Sequence, residues 1–241
     1  MDLGIEGKVA LVTAGSKGLG RAAAIALAGE GAKILLSGRD GETLDDAGRA
    51  IAGLGGEVAT LSGDVTDPAE PARLAETALS RFGGLDILVA NAGGPPPGRA
   101  LEVREDDLWS ALNANLMTSV RLVQEAVPPM RAAGWGRICC ITSYTVVQPA
   151  PVLALSNTAR VGLWGWVKTA AQDLAAEGSA ITLNLVCPGP HATDRMKHLG
   201  GSGAMGDPAG LGAVIAFLCS RQAAFVNGAA VVVDGGLTSA L

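Results

Sequence analysis

VALVTAGSKGLGRAAAIAL, residues Val9 to Leu27, decides how the rest of the chain is read. An apolar run ends at Thr13, a glycine-rich turn follows, and an alanine-rich stretch opens at Gly18. A strand, a tight turn and a helix start in that order make a site for a pyrophosphate. The glycines let the backbone approach the anion, and the unpaired N–H groups of the helix N-terminus face it. With 34 glycines in 241 residues the pattern alone is weak; the flanking strand and helix give it weight.

The surrounding sequence repeats the same grammar. Apolar runs at 8–13, 33–37, 57–62, 86–90, 136–142, 181–187 and 229–233 read as strands. Helical patterns fill 18–30, 41–54, 69–82, 105–133, 150–177 and 208–220. In the fourth helix Leu108, Leu112, Leu116, Val120, Val123 and Val127 form one stripe, and in the fifth Val161, Trp164, Val167, Ala171 and Leu174 do the same. Alternating strands and helices predict an α/β, doubly wound, mainly parallel seven-stranded sheet with helices on both faces, a Rossmann fold, in one domain over 1–241. Gly93–Gly98 and Gly200–Gly210 read as mobile loops after strand ends, where such sheets bind ligands.

Composition narrows the function. Apolar residues make up 49% and charged residues 17%, as expected where both sheet faces are covered. A formal charge of −5 without a basic cluster argues against nucleic acid and anionic membrane surfaces. No apolar stretch approaches the ~20 residues of a membrane span. The start, MDLGIEGK, lacks the regions of a signal peptide, which predicts a cytoplasmic protein. Cys139, Cys140, Cys187 and Cys219 show no ligand spacing and read as reduced, buried thiols. No metal is expected, since no carboxylate pair or further ligand joins His191 and His198.

These motifs together resemble the short-chain dehydrogenase/reductase family across essentially the whole chain, nearest its 3-oxoacyl-carrier-protein-reductase-like members. Thr13-Ala-Gly-Ser-Lys-Gly-Leu-Gly20 matches the family's TGxxxGxG cofactor turn with Ala14 for its first glycine. The resemblance implies that Thr13, Gly15, Ser16, Lys17, Gly18, Leu19 and Gly20 hold the cofactor. It assigns Asp64-Val65 to the adenine ring and Asn91-Ala92-Gly93 to bracing the sheet beside the cofactor. It assigns Asn115 to a proton-relay helix and Ser143 to substrate orientation. Pro188-Gly189, His191 and Thr193 fall in the stretch against the nicotinamide, and Val233-Asp234-Gly235-Gly236 matches a C-terminal signature near the subunit interface.

One departure stands out. The family's catalytic Tyr and its Lys four residues later fall on Ser156 and Arg160, and the only tyrosine of the chain is Tyr144. A phenol, with an unperturbed pKa near ~10, can be tuned into the working range by a neighbouring cation. A serine hydroxyl cannot serve as general acid/base without an activating group, so Ser156 is expected to matter little. Arg160 cannot share a proton, but it can hold the nicotinamide ribose and lend positive potential. Tyr144, His191 and His198 are the candidate stand-ins.

At the end of the second predicted strand, Gly38 stands where an acidic residue would bind a ribose 2′-OH, and Arg39 follows. With Lys17, Arg39 predicts NADP(H) over NAD(H), because a guanidinium grips a 2′-phosphate. Asp40, one residue further on, should point away. The sequence therefore predicts an NADP(H)-dependent oxidoreductase acting on a carbonyl or hydroxyl group of a small molecule. The competing reading is a catalytically silent NADP(H)-binding protein with a sensing or partner-subunit role. The apolar helices at 105–133 and 150–177, which the family packs between subunits, predict a homo-oligomer, a tetramer.

Overall fold

The computed structural model describes residues 1–198 and 203–239; of His198, only the backbone belongs to that description. The stand-in role of the His198 side chain and the 200–202 part of the glycine loop thus lie outside the described residues. Parallel strands β1 (Val9–Val12), β2 (Lys33–Gly38), β3 (Val58–Ser62), β4 (Ile87–Ala90), β5 (Gly136–Ile141), β6 (Ile181–Pro188) and β7 (Ala230–Val233) form one sheet. Its order is β3-β2-β1-β4-β5-β6-β7. The chain winds outward from β1 to β3, then returns to lay β4 on the other side of β1. Leu11 is in register with Leu35 on β2 and Leu88 on β4. That reversal opens a crevice at the carboxyl ends of β1 and β4.

Around the sheet lie α1 (Gly18–Gly29), α2 (Gly41–Gly53), α3 (Glu70–Phe82), α4 (Glu105–Leu112), α5 (Thr118–Ala133), α6 (Ala154–Ala176), α7 (Asp194–His198) and α8 (Pro208–Leu218). The strand period of two sorts the apolar side chains into two cores. Ile138 and Cys140 join Leu11, Leu88, Val123 and Leu163 on one face. Their neighbours Cys139 and Ile141 join Val12, Ile34, Leu44 and Ile215 on the other. All four cysteines are free and buried. No helix among the described residues is long and apolar enough to cross a membrane.

The predicted strands and helices are all present, with two corrections. The stretch expected as one helix over 105–133 is interrupted by a π turn, Asn113–Met117. The one hydrogen of the Thr118 hydroxyl is shared between the Asn113 carbonyl at 3.0 Å and the Val65 carbonyl at 3.2 Å, which supports the widened turn from the side. The next helix begins at Ala154 rather than 150, because Val152 takes a left-handed φ of 57°. A β-branched residue there is strained. The Val152 carbonyl accepts from Gly98 N–H at 2.7 Å, and Ala154 N–H donates to the Gly98 carbonyl at 3.2 Å. The Gly93–Gly98 loop, expected to be mobile, is thereby tied to the start of α6. The helical stripes are mostly core: Val120, Val123, Val127, Val167, Ala171 and Leu174 are buried, while Val161 and Trp109 are exposed.

Candidate active site

The glycine turn is held from behind. Asn91 N–H donates to Thr13 Oγ1 at 2.9 Å, and Thr13 Oγ1 donates to the Asn91 carbonyl at 2.7 Å. Asn91 Nδ2 also donates to the Ala14 carbonyl at 3.3 Å. These bonds lock the end of β4 to the turn after β1. Gly20 must be glycine, since a Cβ there would lie 2.5 Å from the Ala14 carbonyl oxygen. Ala14 itself sits at φ 45°, a conformation glycine adopts freely and alanine does not. The turn therefore survives the Ala14 departure with its shape kept and some strain added. Leu19 packs into the core beneath it.

In front of the turn opens a cavity of about 610 Å³. Ser16, Lys17, Arg39, Asp64, Val65, Ala92 and Gly93 all line it, so strands β1 to β4 bring the predicted nucleotide residues together. Gly93 has no atom within 4 Å of where a side chain would begin. Backbone can thus approach a ligand closely there. Asp40 also lines the cavity, so it does not simply point away. Its carboxylate is engaged, however, accepting from Thr43 N–H and Thr43 Oγ1 at 2.8 Å each as the N-cap of α2. Those bonds, with Lys17 nearby, lower its pKa. Thr66 N–H and hydroxyl hold the Asp64 carboxyl low in the same way, with the Arg39 charge adding to them.

Sequence reasoning missed one wall. Asp107, Ser110, Ala111 and Ala114 face the cavity from α4 and the π turn. Their spacing of three and four was a readable signal, a small and polar stripe on the face opposite the apolar one.

The residues predicted for chemistry lie outside that cavity's walls. Arg160, on α6, spans two elements. Its Nε donates to Ser156 Oγ at 3.1 Å, and its Nη1 donates to the Ile141 carbonyl at the end of β5 at 3.2 Å. It has no carboxylate partner among the described residues. Burial lowers its pKa to about 10, and the like charge of Arg195 pushes the same way. The guanidinium stays charged at neutral pH. Ser143, two residues past Ile141, has its Oγ occupied as an acceptor: Thr145 N–H donates at 3.2 Å and Thr145 Oγ1 at 3.1 Å. Tyr144 opens a 3-10 turn (Tyr144–Val146) and is not a strand residue.

Asn115 is 4% exposed, and neither its Oδ1 nor its Nδ2 has a partner. Burying both without a ligand or water is costly. The π turn that carries it packs under α6, where a Cβ on Gly162 would lie 2.8 Å from Leu116 Cδ1. Thr193 lies against Gly18 at the start of α1, and Gly189 lies against Asp234. His191 is 5% exposed; its Nδ1 is 2.9 Å from the Gly189 carbonyl and its ring packs on Gly206. An Nδ1–H bonded to that carbonyl holds the ring in place. Arg195, unremarked in the sequence, donates to the Pro95 carbonyl at 3.0 Å across Gly94. No cluster of three or more potential metal ligands occurs among the described residues.

A nicotinamide dinucleotide fits these residues. The braced turn, the open backbone at Gly93 and the cations Lys17 and Arg39 form a cradle for a nucleotide diphosphate.

The comparisons agree with the fold. The family described as enoyl-(acyl carrier protein) reductase matches residues 13–238. Dehydrogenase/reductase SDR family member 4 of Homo sapiens is 32% identical over 98% of this chain and 90% of its own length. A 3-oxoacyl-[acyl-carrier-protein] reductase of Synechocystis is 34% identical over 97% of this chain and 98% of its own. The structure of L-sorbose reductase from Gluconobacter frateurii complexed with NADPH and L-sorbose superposes with a TM-score of 0.92, 32% identity and full coverage of both chains. The chain belongs to the short-chain dehydrogenase/reductase family of oxidoreductases.

Proposed function

We propose that this protein is an NADP(H)-dependent oxidoreductase that acts on a carbonyl or hydroxyl carbon of a small molecule. The observation that carries the cofactor choice is the cavity wall at the end of β2. Gly38 leaves room there, and Arg39, Lys17 and Ser16 offer two positive charges and a hydroxyl to a 2′-phosphate. When bound, the nicotinamide supplies or accepts the hydride. The chain's own residues then have three tasks. Thr13 and Asn91 keep the turn shaped for the diphosphate. Arg160, in the position the family gives its lysine, holds the ribose and sets a positive potential. Ser143 orients the substrate oxygen, and the unpaired Asn115 atoms hold a water or a cofactor group behind α6.

A panel of carbonyl and alcohol substrates run with both cofactors tests this reading. Turnover with NADPH or NADP+ is expected, and its absence across the panel would reject it. One observation favours the silent-binder alternative: Ser156 is bonded to a guanidinium and not to a base. In that case NADPH binds and no substrate turns over. We also propose self-association. Trp109 is 63% exposed on α4, and Val161 and Met117 add exposed apolar surface on α6 and the π turn. Light scattering at micromolar concentration should return a multiple of 24.1 kDa; the monomer mass would exclude an assembly.

A further inference from the structure

Two of the four buried thiols touch. Alternation along β5 sends Cys139 to one sheet face and Cys140 to the other, so within the strand these neighbours cannot bond to each other. Cys139 instead meets Cys219, the residue that ends α8, with the two sulfurs 3.8 Å apart in an S–H···S contact. Both side chains are fully buried. Cys187 has a different neighbour, Thr142 Oγ1 at 3.2 Å. We propose that Cys139 and Cys219 are a peroxide-sensitive dithiol whose disulfide staples the end of α8 to β5. This goes beyond the proposed reaction and does not depend on it.

A buried guanidinium serves the pair. Arg137, two residues before Cys139 on β5 and 3% exposed, donates from Nε to the Ser220 carbonyl and from Nη1 to the Ala180 carbonyl, each at 2.9 Å. Ser220 follows Cys219, so Arg137 fixes the backbone beside the second sulfur. No carboxylate pairs with Arg137 among the described residues, and the acids that act on its charge are the two thiols. The shared hydrogen bond with Cys139 and burial hold the Cys219 thiol above its ordinary range, and the Arg137 charge opposes them. In the closed fold the pair is thus protonated and slow to react. Access comes at the end of α8. Arg221 and Gln222 are exposed there, and they tie down the N-terminal segment through the Leu3 and Asp2 carbonyls. Local opening of such a chain end wets the thiols, removes the burial cost and lets Arg137 favour a thiolate.

That thiolate attacks one oxygen of hydrogen peroxide. An S–O bond forms, the O–O bond breaks, and the hydroxide released takes up a proton and leaves as water. On reclosure the second thiol attacks the sulfenic sulfur, an S–S bond forms, and the hydroxyl leaves with the thiol proton as a second water. The two thiols lose two electrons and two protons, and one peroxide becomes two waters. From contact to bond the sulfurs approach by roughly 1.8 Å. The bond joins positions 80 apart, which removes much of the freedom of the unfolded chain. α8 also rests on α1, where a Cβ on Gly212 would lie 2.5 Å from the Ala22 carbonyl oxygen. The staple therefore acts on the layer that backs the helix opening at the glycine turn.

The test treats the purified protein with millimolar hydrogen peroxide and then alkylates it in denaturant. Trypsin cuts after Arg137, Arg160, Lys197 and Arg221, which separates the peptide holding Cys139 and Cys140 from the one holding Cys219. Mass spectrometry should recover those two peptides joined, lighter by two hydrogens and split again by dithiothreitol. Cys140→Ala should leave the link in place. The oxidised protein should melt at least about 5 °C above the reduced one in calorimetry. Peroxide should not raise the Tm of Cys219→Ala. Recovery of Cys139 and Cys219 unlinked and alkylated would overturn the dithiol, as would a link to Cys140 or Cys187 instead. A linked protein whose Tm is unchanged or lower would overturn the staple. The peptide map is read on the wild type, so it decides the matter even where Cys219→Ala fails to fold.

Discussion

At the glycine turn the backbone does the holding, whereas around α6 side chains do. The nucleotide side is a braced loop in which Thr13 and Asn91 exchange hydrogen bonds and Gly20 admits the Ala14 carbonyl. Its two cations, Lys17 and Arg39, have acidic neighbours in Asp40 and Asp64. The proposed reaction side is a single guanidinium bonded to a hydroxyl and a strand-end carbonyl, with Asn115 unpaired on the π turn that packs against α6. Positive charge on the first side faces solvent and a carboxylate; on the second it is half-buried and has no carboxylate partner among the described residues. Binding a cofactor constrains backbone shape, which tolerates little change. The chemical step depends on a few side chains, which can be exchanged if the local field is kept.

Arg160 offers the strongest way to break that contrast. Arg160→Ala removes the positive charge, the Ser156 bond and the proposed ribose contact together. Turnover should fall by on the order of a hundredfold or more. NADPH affinity should fall as well, measured by steady-state kinetics beside a fluorescence titration. Loss of turnover with undiminished NADPH affinity would confine Arg160 to the substrate oxygen. At the other side, Arg39→Ala should weaken NADPH by roughly tenfold or more, the worth of a charge-assisted hydrogen bond, and leave NADH unchanged. An equal effect on both cofactors would move Arg39 away from the 2′-phosphate.

The smallest effect sharpens the claim that the turn keeps its shape under strain. Ala14→Gly relieves the left-handed φ of 45°. It should stabilise the protein by about 1 kcal/mol, offset in part by the extra freedom of glycine in the unfolded chain. For a chain of this size that raises Tm by roughly 2–4 °C. A lower Tm in calorimetry would mean that alanine is accommodated without cost.

Much of this was legible in the sequence because it is local. The apolar runs carried the strands, the period of two separated Cys139 from Cys140, and the glycines marked the turn. The π turn at Asn113–Met117 was hidden because an apolar stripe continues through it from Leu112 to Val120. A one-residue widening leaves little trace in periodicity. The late start of α6 was masked by Val152, a residue type that rarely takes a positive φ. The Arg160–Ser156 bond lies at helical spacing and was open to inference, but the Ile141 contact joins positions 19 residues apart and needed the fold. Arg195 reaches Pro95 across 100 residues, and no local pattern announces it.

The account stands on the nucleotide side being a working NADP(H) site, and a paired titration tests that most directly. The purified protein is titrated with NADPH and then with NADH under identical salt and pH, following nicotinamide fluorescence. Tighter binding of NADPH by at least about tenfold is predicted, the value of a 2′-phosphate held by Arg39 and Lys17. Equal affinities, or tighter NADH, would contradict it.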